Sequence, residues 1–436
     1  MRRFLHLICG PAPDILRNDR RTRATRFLQF LCLAMTPDHT QAKEAVTWAE
    51  TCLRDWRRHE AEQDWPALDA TGKSRFILSL IEKVIDDLAL HDDAPWHLGF
   101  SSGLDSRLLH HVLRRKGVAF QPYTYGQPGN LDFDFSKLAE VHLGMTTLFF
   151  DTTTLDWSTE RVDRMTAQVR DRPTSPRALC AQELCRRSGR PIVDVHGFLN
   201  GYLTGSLQSR QGPTEDWPSI VGHEVKANGQ FGFQAFIRPD IPRSFFPEAP
   251  ISDVLPLDRQ LGLAYRQWQR IRPGDLHGVT YVCPYTDPRW VGFWLSRSSD
   301  ELSGQKLYVD ALLSARMPEF FDLTHLADEG HEPTKKNRIE RVYGTGRKRL
   351  EFAQRQGVQA PLAPTSHFCA FACYWNNPAF TRYVDQSLRR LRARRLFHES
   401  FIDDVSRRFT AGDKPAEKLM KGLLSIDSCM ESALLD

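Results

Sequence analysis

The chain lacks the features that mark a disulfide-rich, exported or membrane-spanning protein. Its nine cysteines are odd in number and scattered, and none forms the CxxC pair of a zinc ribbon or a redox motif. The longest apolar runs, such as residues 27–35, are about half of the ~20 residues that a spanning helix requires. The apolar stretch near the N-terminus is too short for a signal peptide. We therefore expect a reduced, cytoplasmic protein with no membrane partner.

An excess of charge of one sign is also missing. Lys and Arg number 58 against 54 for Asp and Glu, which gives a net charge of +4. So small a surplus does not attract nucleic acid to the whole molecule. The densest basic run contains Arg389, Arg390, Arg392, Arg394 and Arg395. Such runs usually form a solvated helix face, with contact to RNA, an acidic peptide or a phosphorylated ligand as the alternative. We expect no nucleic-acid partner, and any bound anion must be held locally.

What remains is the composition of a folded protein with more than one domain. The chain has 436 residues, of which 41% are hydrophobic and 26% charged. Residues 1–71 have a helical pattern, residues 72–345 alternate between strand and helix, and residues 346–436 are again mainly helical. We take these three ranges as the predicted domains.

Hydrophobic periodicity predicts the elements of the central range. Helices are predicted over 74–88, 107–116 and 133–142, and strands over 96–100, 118–125, 146–150 and 191–195. Short buried strands separated by helices form βαβ units. The predicted fold class is therefore α/β, a parallel sheet with flanking helices.

The most informative segment is the loop between the first strand and its helix. It reads Ser101, Ser102, Gly103, Leu104, Asp105, Ser106. Backbone N–H groups, hydroxyls and the helix dipole at such a turn attract phosphate or pyrophosphate. Gly103 permits close approach of a ligand, and Asp105 can hold Mg²⁺. The alternative is an ordinary turn whose helix is capped by Ser or Asp.

In its context, FSSGLDSRLL, this loop resembles the SGGxDS pyrophosphate loop of the ATP pyrophosphatase superfamily. Within that superfamily it is similar to the asparagine synthetase C-terminal domain and its relatives, β-lactam synthetase and the lasso-peptide cyclases. The likeness extends over about residues 72–345 and includes YTYG (123–126), DFSKLAEVHLG (134–144), CPYTD (283–287) and QKLY (305–308). It implies an adenine nucleotide α-hydrolase-like fold that binds ATP and Mg²⁺. It places Gly126 and Gly197 at the nucleotide together with the loop, and Asp105 on the metal.

The resemblance also implies an activity. Members of the family adenylate a carboxylate, release pyrophosphate, and form an amide when an amine or ammonia attacks. Lys335 and Lys336 stand where the family has a lysine that stabilises the pyrophosphate and the developing charge. The alternative for this pair is a solvated surface position. The substrates implied are a carboxylate, for example in a peptide or a natural-product intermediate, and a nitrogen donor.

Both glycine loops depart from the family pattern and leave alternatives open. The second glycine loop, G-E-G-x-D-E-L-x-G-G in the family, is here GFLNGYLTG (197–205), without acids. Asn200 or Asp194 is then the candidate for a second oxygen ligand. Ser102 replaces the first glycine of the pyrophosphate loop. A non-catalytic, nucleotide-binding partner subunit with a degenerate synthetase fold is therefore the alternative function.

Another departure from the family pattern concerns the source of nitrogen. Glutamine-hydrolysing members expose a cysteine after removal of the initiator Met, whereas position 2 here is Arg. We predict no glutaminase, so the nitrogen comes from free ammonia, a partner subunit or the substrate's own amine. A sulfur- or tRNA-modifying role within the same superfamily is disfavoured by the missing CxxC pairs.

Two further motifs are interpreted as structural. Gly72-Lys73-Ser74 fits a relaxed Walker A pattern but lacks the preceding strand and glycine-rich loop, so Thr71 or Ser74 is predicted to cap a helix. The pair His110-His111 has no metal-ligand spacing and is predicted to be structural.

Overall fold

Short runs rich in β-branched and aromatic residues form a parallel sheet at the centre of the molecule. The computed structural model describes residues 39–60, 65–89, 94–128, 130–169, 176–206, 216–228, 232–233, 240–271, 276–328 and 377–431. Its strands are β1 (Trp96–Gly99), β2 (Phe120–Gly126), β3 (Leu148–Asp151), β4 (Ile192–Val195) and β5 (Val279–Val282). They pair in parallel in the order β3-β2-β1-β4-β5. The predicted α/β class with a parallel sheet and flanking helices is confirmed.

Helices surround this sheet. In the first half they are α1 (His39–Glu60), α2 (Ala70–Ala89), α3 (Leu104–Arg115), α4 (Leu131–Leu143), α5 (Thr159–Val169), α6 (Pro176–Ser188) and α7 (Asn200–Leu203). Next come α8 (Trp217–Asn228), α9 (Asp240–Arg243), α10 (Leu257–Gly262) and α11 (Trp268–Ile271), the last two joined by a π-helical turn over Leu263–Gln267. The remainder are α12 (Pro288–Leu295), α13 (Ser299–Leu302), α14 (Lys306–Ser314), α15 (Phe321–Asp328), α16 (Pro378–Ala393), α17 (Glu399–Thr410) and α18 (Lys414–Glu431). Short 3₁₀ turns occur at Trp65–Ala67, Pro284–Thr286, Ser303–Gln305 and Pro318–Phe320.

The predicted elements of the central range are present, with ends that differ by up to four residues. Helix α3 begins at Leu104, three residues before the predicted start, and α2 begins at Ala70. The predicted cap at Thr71 or Ser74 is wrong, because the carboxylate of Asp69 accepts the Gly72 N–H at 2.6 Å and Ser74 donates to Ala311 O at 2.6 Å. The Walker-like motif is therefore part of a helix and not a phosphate loop.

The path of the chain creates a crevice at one edge of the sheet. From β1 it proceeds outward through β2 to β3, then crosses back to β4, which pairs with the opposite side of β1. The segments that follow β1 and β4 therefore diverge. In parallel sheets, ligands bind at the carboxyl ends of the strands where the strand order reverses. Residues 101–106 and 196–200 lie at this point.

Helix α1 packs against the same hydrophobic core as the sheet-associated helices. It crosses α12 at Gly292, where an added Cβ would lie 2.4 Å from the Cys52 carbonyl oxygen. Only glycine allows the two backbones to come this close. The predicted domain boundaries at residues 71 and 345 remain predictions.

The arginine run forms ion pairs between the C-terminal helices. Arg390 of α16 and Arg394, the residue that follows this helix, both bind Asp427 of α18, whose side chain is fully buried. Arg390 also binds Asp163 of α5 at 2.7 Å. Arg392 pairs with Asp403 at 2.7 Å. Three of the five arginines therefore hold helices together. Among the described helices, none is both long and apolar enough to cross a membrane.

Candidate phosphate-binding site at the carboxyl edge of the sheet

The loop after β1 is held in shape by its own serines. The Ser101 hydroxyl accepts the Gly103 N–H at 3.1 Å and lies 3.1 Å from the Ser106 hydroxyl. Ser106 also contacts the carbonyl oxygen of Gly103 at 3.2 Å. These bonds occupy the hydroxyls within the loop.

Helix α3 has no side-chain cap. Its N-cap residue is Gly103, in extended conformation with φ −65° and ψ 144°, and no cap hydrogen bond is formed. The alternative that Ser or Asp caps this helix is therefore wrong. N–H groups in the first turn of a helix have no partner within the helix, and the helix dipole favours an anion there. Leu104 is buried in the core, so it can offer a ligand only its backbone N–H.

Ser102 has no backbone strain, because it does not adopt a positive φ and so does not require glycine. Its N–H and its hydroxyl both donate to Oδ1 of Asp132, at 2.9 and 2.7 Å. Asp132 stands in the first turn of α4, after the neighbouring strand β2. Asp132 lies outside the motifs predicted from the sequence. The available signal was an acidic residue at the start of a helix that follows a strand next to β1.

Asp105 is bound by an amide of the second glycine loop. Asn200 Nδ2 donates to Asp105 Oδ1 at 2.7 Å, and Asn200 Oδ1 accepts the indole N–H of Trp290 at 2.9 Å. An indole N–H can only donate, so it fixes which end of the amide faces Asp105. Asn200 thus presents hydrogens to Asp105. Its oxygen is used by Trp290, which argues against Asn200 as the second oxygen ligand.

Two buried tyrosines lie beneath Asp105. Tyr285 donates its hydroxyl to the Asp105 carbonyl oxygen at 2.8 Å, and the ring of Tyr308 is fully buried nearby. Burial, followed by the charges of Tyr308 and Asp105, raises the pKa of Tyr285 well above its usual value. Burial and then Asp105 do the same to the pKa of Tyr308. Both hydroxyls therefore stay protonated, and that of Tyr285 holds the carbonyl oxygen of Asp105.

Gly197 brings the second loop against the first. An added Cβ at Gly197 would lie 2.9 Å from the Cβ of Asp105 and 3.4 Å from the Ser106 nitrogen. Gly126, the last residue of β2, lies at the same edge of the sheet, on the strand next to β1. Residues 101–106, 197 and 200 are thus brought together.

Asp194, the other candidate for an oxygen ligand, is fully buried and already bonded. It binds Arg177 at 2.8 Å through one oxygen and accepts the Tyr123 hydroxyl at 2.9 Å through the other. It therefore has a structural role in the face of the sheet covered by α6. Lys335 and Lys336 lie outside the described residues.

The residues present fit a single metal ion that would be bound partly by the protein and partly by phosphate oxygens. Within the described part of the chain, no three His, Cys, Asp or Glu side chains come together as a metal site. An all-protein metal cage is therefore not formed by these residues. Asp105 at an uncapped helix start suits Mg²⁺, which usually binds one or two carboxylates together with phosphate oxygens.

No family model matches the chain, and no curated protein does. The resemblance to the asparagine synthetase family thus rests on the motifs named above.

Proposed function

We propose that the protein is an ATP-dependent, AMP-forming carbon–nitrogen ligase of the asparagine synthetase type, with an adenine nucleotide α-hydrolase-like fold. An oxygen of the substrate carboxylate attacks the α-phosphorus of ATP, and pyrophosphate leaves. The amine or ammonia then attacks the acyl carbon, loses a proton, and displaces AMP. The nitrogen donor is free ammonia, a partner subunit or the substrate's own amine.

The observation that carries the proposal is the position of the uncapped loop. Residues 101–106 lie where the strand order reverses, at the carboxyl ends of β1 and β4. The amides of the first turn of α3 would hold the pyrophosphate portion of ATP. Asp105 would hold Mg²⁺, which neutralises charge on the leaving group. Lys335 and Lys336 are proposed to stabilise the same charge, as the resemblance implies.

A second candidate function is a nucleotide-binding partner subunit without turnover. The hydrogen bond from Asn200 to Asp105 favours it, since an amide stands where the family pattern has acids. The Ser102 amide that faces Asp132 favours it as well, because that donor is already occupied.

Product analysis separates the two candidates. Labelled ATP is incubated with Mg²⁺, ammonium and a panel of carboxylates, and the nucleotides are resolved. The ligase predicts AMP and pyrophosphate in equal amounts. Tight binding of ATP without turnover would support the partner subunit, and stoichiometric ADP without AMP would contradict the pyrophosphate-loop assignment altogether.

A further inference from the structure

A second cluster of polar groups lies beside the phosphate loop, on the face of the sheet covered by α6. It contains Arg177 from α6, Asp194 and His196 from the end of β4, and the aromatic rings of Phe198 and Tyr281. Asp194 pairs in register with Tyr281 of β5, so both side chains leave the same face of the sheet. This arginine–histidine cluster plays no part in phosphate binding as proposed above.

The guanidinium of Arg177 is held in a fixed plane. Its carbon lies 4.9 Å from the ring centre of Phe198 and 4.9 Å from that of Tyr281. Nη2 donates to Asp194, while Nε and Nη1 make no hydrogen bond to any described residue. The side chain is 14% exposed. Because Asp194 uses only one Nη2 hydrogen, the other Nη2 hydrogen can act together with Nε or Nη1. Such a pair of parallel donors is suited to bind a carboxylate.

His196 adds a buried donor to the same cluster. Its Nδ1 accepts the Phe198 N–H at 3.4 Å, and its Nε2 has no hydrogen-bond partner among the described residues although the side chain is buried. Burial, and then the charge of Arg177, hold the pKa of His196 well below its usual value. The neutral ring therefore carries its proton on Nε2. A buried N–H without an acceptor is costly and rare in folded proteins.

The charge balance favours a carboxylate over a phosphate. Asp194 already neutralises Arg177 and His196 is neutral, so the cluster has no net positive charge and accommodates a singly charged carboxylate at less cost than a multiply charged phosphate. The groups still unbonded are donors, which selects a ligand that only accepts hydrogen bonds. The more highly charged phosphates have the uncapped helix start instead. The two sites adjoin, because Gly197, between His196 and Phe198, lies against Asp105.

We propose that Arg177 and His196 bind a carboxylate group of the acid substrate, beside the phosphate-binding loop. Arg177 supplies the guanidinium donors that are not bonded to Asp194, and His196 supplies its buried Nε2–H. The identity of the ligand as a substrate rests on the proposed function. Its binding requires neither ATP nor turnover and can be tested without them.

The test is a titration of the full chain, without nucleotide, followed through ¹⁵N signals of arginine side chains and histidine rings. Acetate is the probe, with chloride at equal ionic strength as the control. We expect acetate to shift the Arg177 Nε and His196 Nε2 signals with a common, saturable affinity. Pyrophosphate, used as a second probe, should leave both signals in place. Unchanged Arg177 signals with acetate, or shifts with pyrophosphate alone, would overturn the proposal.

Matched variants assign the effect to the fork. Arg177→Lys keeps the charge beside Asp194 but removes the planar pair of donors, and should weaken acetate binding about tenfold or more. The control is Arg187→Lys on the same helix, at an arginine that also lies over an aromatic ring, that of Phe150, and should leave the affinity unchanged. Equal effects of the two variants would contradict the proposal. If R177K does not fold, the wild-type titration alone decides.

The outcome is separable from that of the proposed function. Acetate binding at Arg177 in a protein that forms no AMP with any carboxylate would refute the ligase and leave the anion site. Formation of AMP with an unperturbed Arg177 would refute only the carboxylate site.

Discussion

Neighbouring side chains determine the position of the Asp105 carboxylate in the loop. The carboxylate lies at the start of α3 and is held by the amide of Asn200, which Trp290 orients. This arrangement holds the carboxylate in place before any ligand arrives. It also explains how a loop without acids can still support Asp105 in the metal-binding role proposed for it.

Replacement of Asn200 by Asp tests that arrangement. Two carboxylates within hydrogen-bond distance repel each other, so Asn200→Asp should lower the stability by about 2 kcal/mol in EDTA. A divalent ion between them relieves the repulsion, and the melting temperature should rise again as Mg²⁺ is added. Asn200→Ala serves as the control, because it loses the hydrogen bond without adding charge and should not respond to Mg²⁺. A melting temperature of N200D that is independent of Mg²⁺ would show that Asp105 does not face a metal position.

The contact of Gly197 with Asp105 makes a second prediction at the residue scale. Gly197→Ala would place its Cβ 2.9 Å from the Cβ of Asp105, which neither backbone can easily avoid. We expect a loss of about 1–3 kcal/mol of stability and weaker binding of ATP, because the loop is displaced. Gly222→Ala is the control, since its nearest neighbour is the mobile end of Arg243, 3.3 Å away. Calorimetric ATP titrations that agree for both variants would exclude Gly197 from the site.

The element that carries the loop, helix α3, is anchored from behind by buried charges. Arg107 binds Asp322 at 2.5 Å, and the two oxygens of Glu319 accept from His110 and His111 at 3.1 and 2.8 Å. The predicted structural role of the two histidines agrees with this geometry. The 3₁₀ turn at Pro318–Phe320 thereby fixes the orientation of α3, and with it the direction of its first turn.

Glu319 gives this anchor a pH dependence. Burial alone would raise the pKa of Glu319, but the hydrogen bonds from His110 and His111 lower it from 4.5 to about 2. A carboxylate with a depressed folded-state pKa stabilises the fold above its unfolded pKa and ceases to do so as the pH falls through its folded pKa. The Glu319 contribution should therefore be complete above pH 4.5 and disappear towards pH 2.

Urea unfolding of Glu319→Gln between pH 2 and pH 7 measures that contribution. The variant should be about 2–3 kcal/mol less stable than wild type at pH 7, with the difference shrinking below pH 4.5. Glu183→Gln is the matched control. The pKa of Glu183 is also lowered to about 2, but its partners Arg186 and Arg187 are exposed, so it should contribute less than about 1 kcal/mol. A pH-independent difference for E319Q would contradict the anchor.

For the whole molecule, the sequence predicted the architecture better than the chemistry. The strands and helices from residue 70 to 151 follow from hydrophobic periodicity, because each buries one face against the next layer. Strand β5 was missed, since its four residues include Thr280 and Tyr281 and carry little apolar pattern. The strand order, and with it the crevice, depends on pairing between distant segments that periodicity does not encode.

Within the site, local motifs were predicted and long-range partners were not. The loop 101–106 could be recognised because its residues are contiguous. Asp132, Trp290 and Arg177 are contributed by separate helices, and only the fold brings them to the same edge. For the same reason the sequence does not reveal that Arg177 and Tyr123 bind Asp194, because both partners are distant from it in sequence.

Calorimetry of magnesium pyrophosphate binding is the sharpest test that Asp105 and its loop hold a metal-bound phosphate. It compares wild type with Asp105→Asn, on preparations of known melting temperature. An asparagine at position 105 keeps an oxygen for Asn200, so the fold and melting temperature should be retained. We predict binding that requires Mg²⁺ in the wild type and is weakened on the order of 10²-fold in D105N, or about 2.7 kcal/mol. Equal affinities in the two proteins, or binding indifferent to Mg²⁺, would mean that the loop is only a turn.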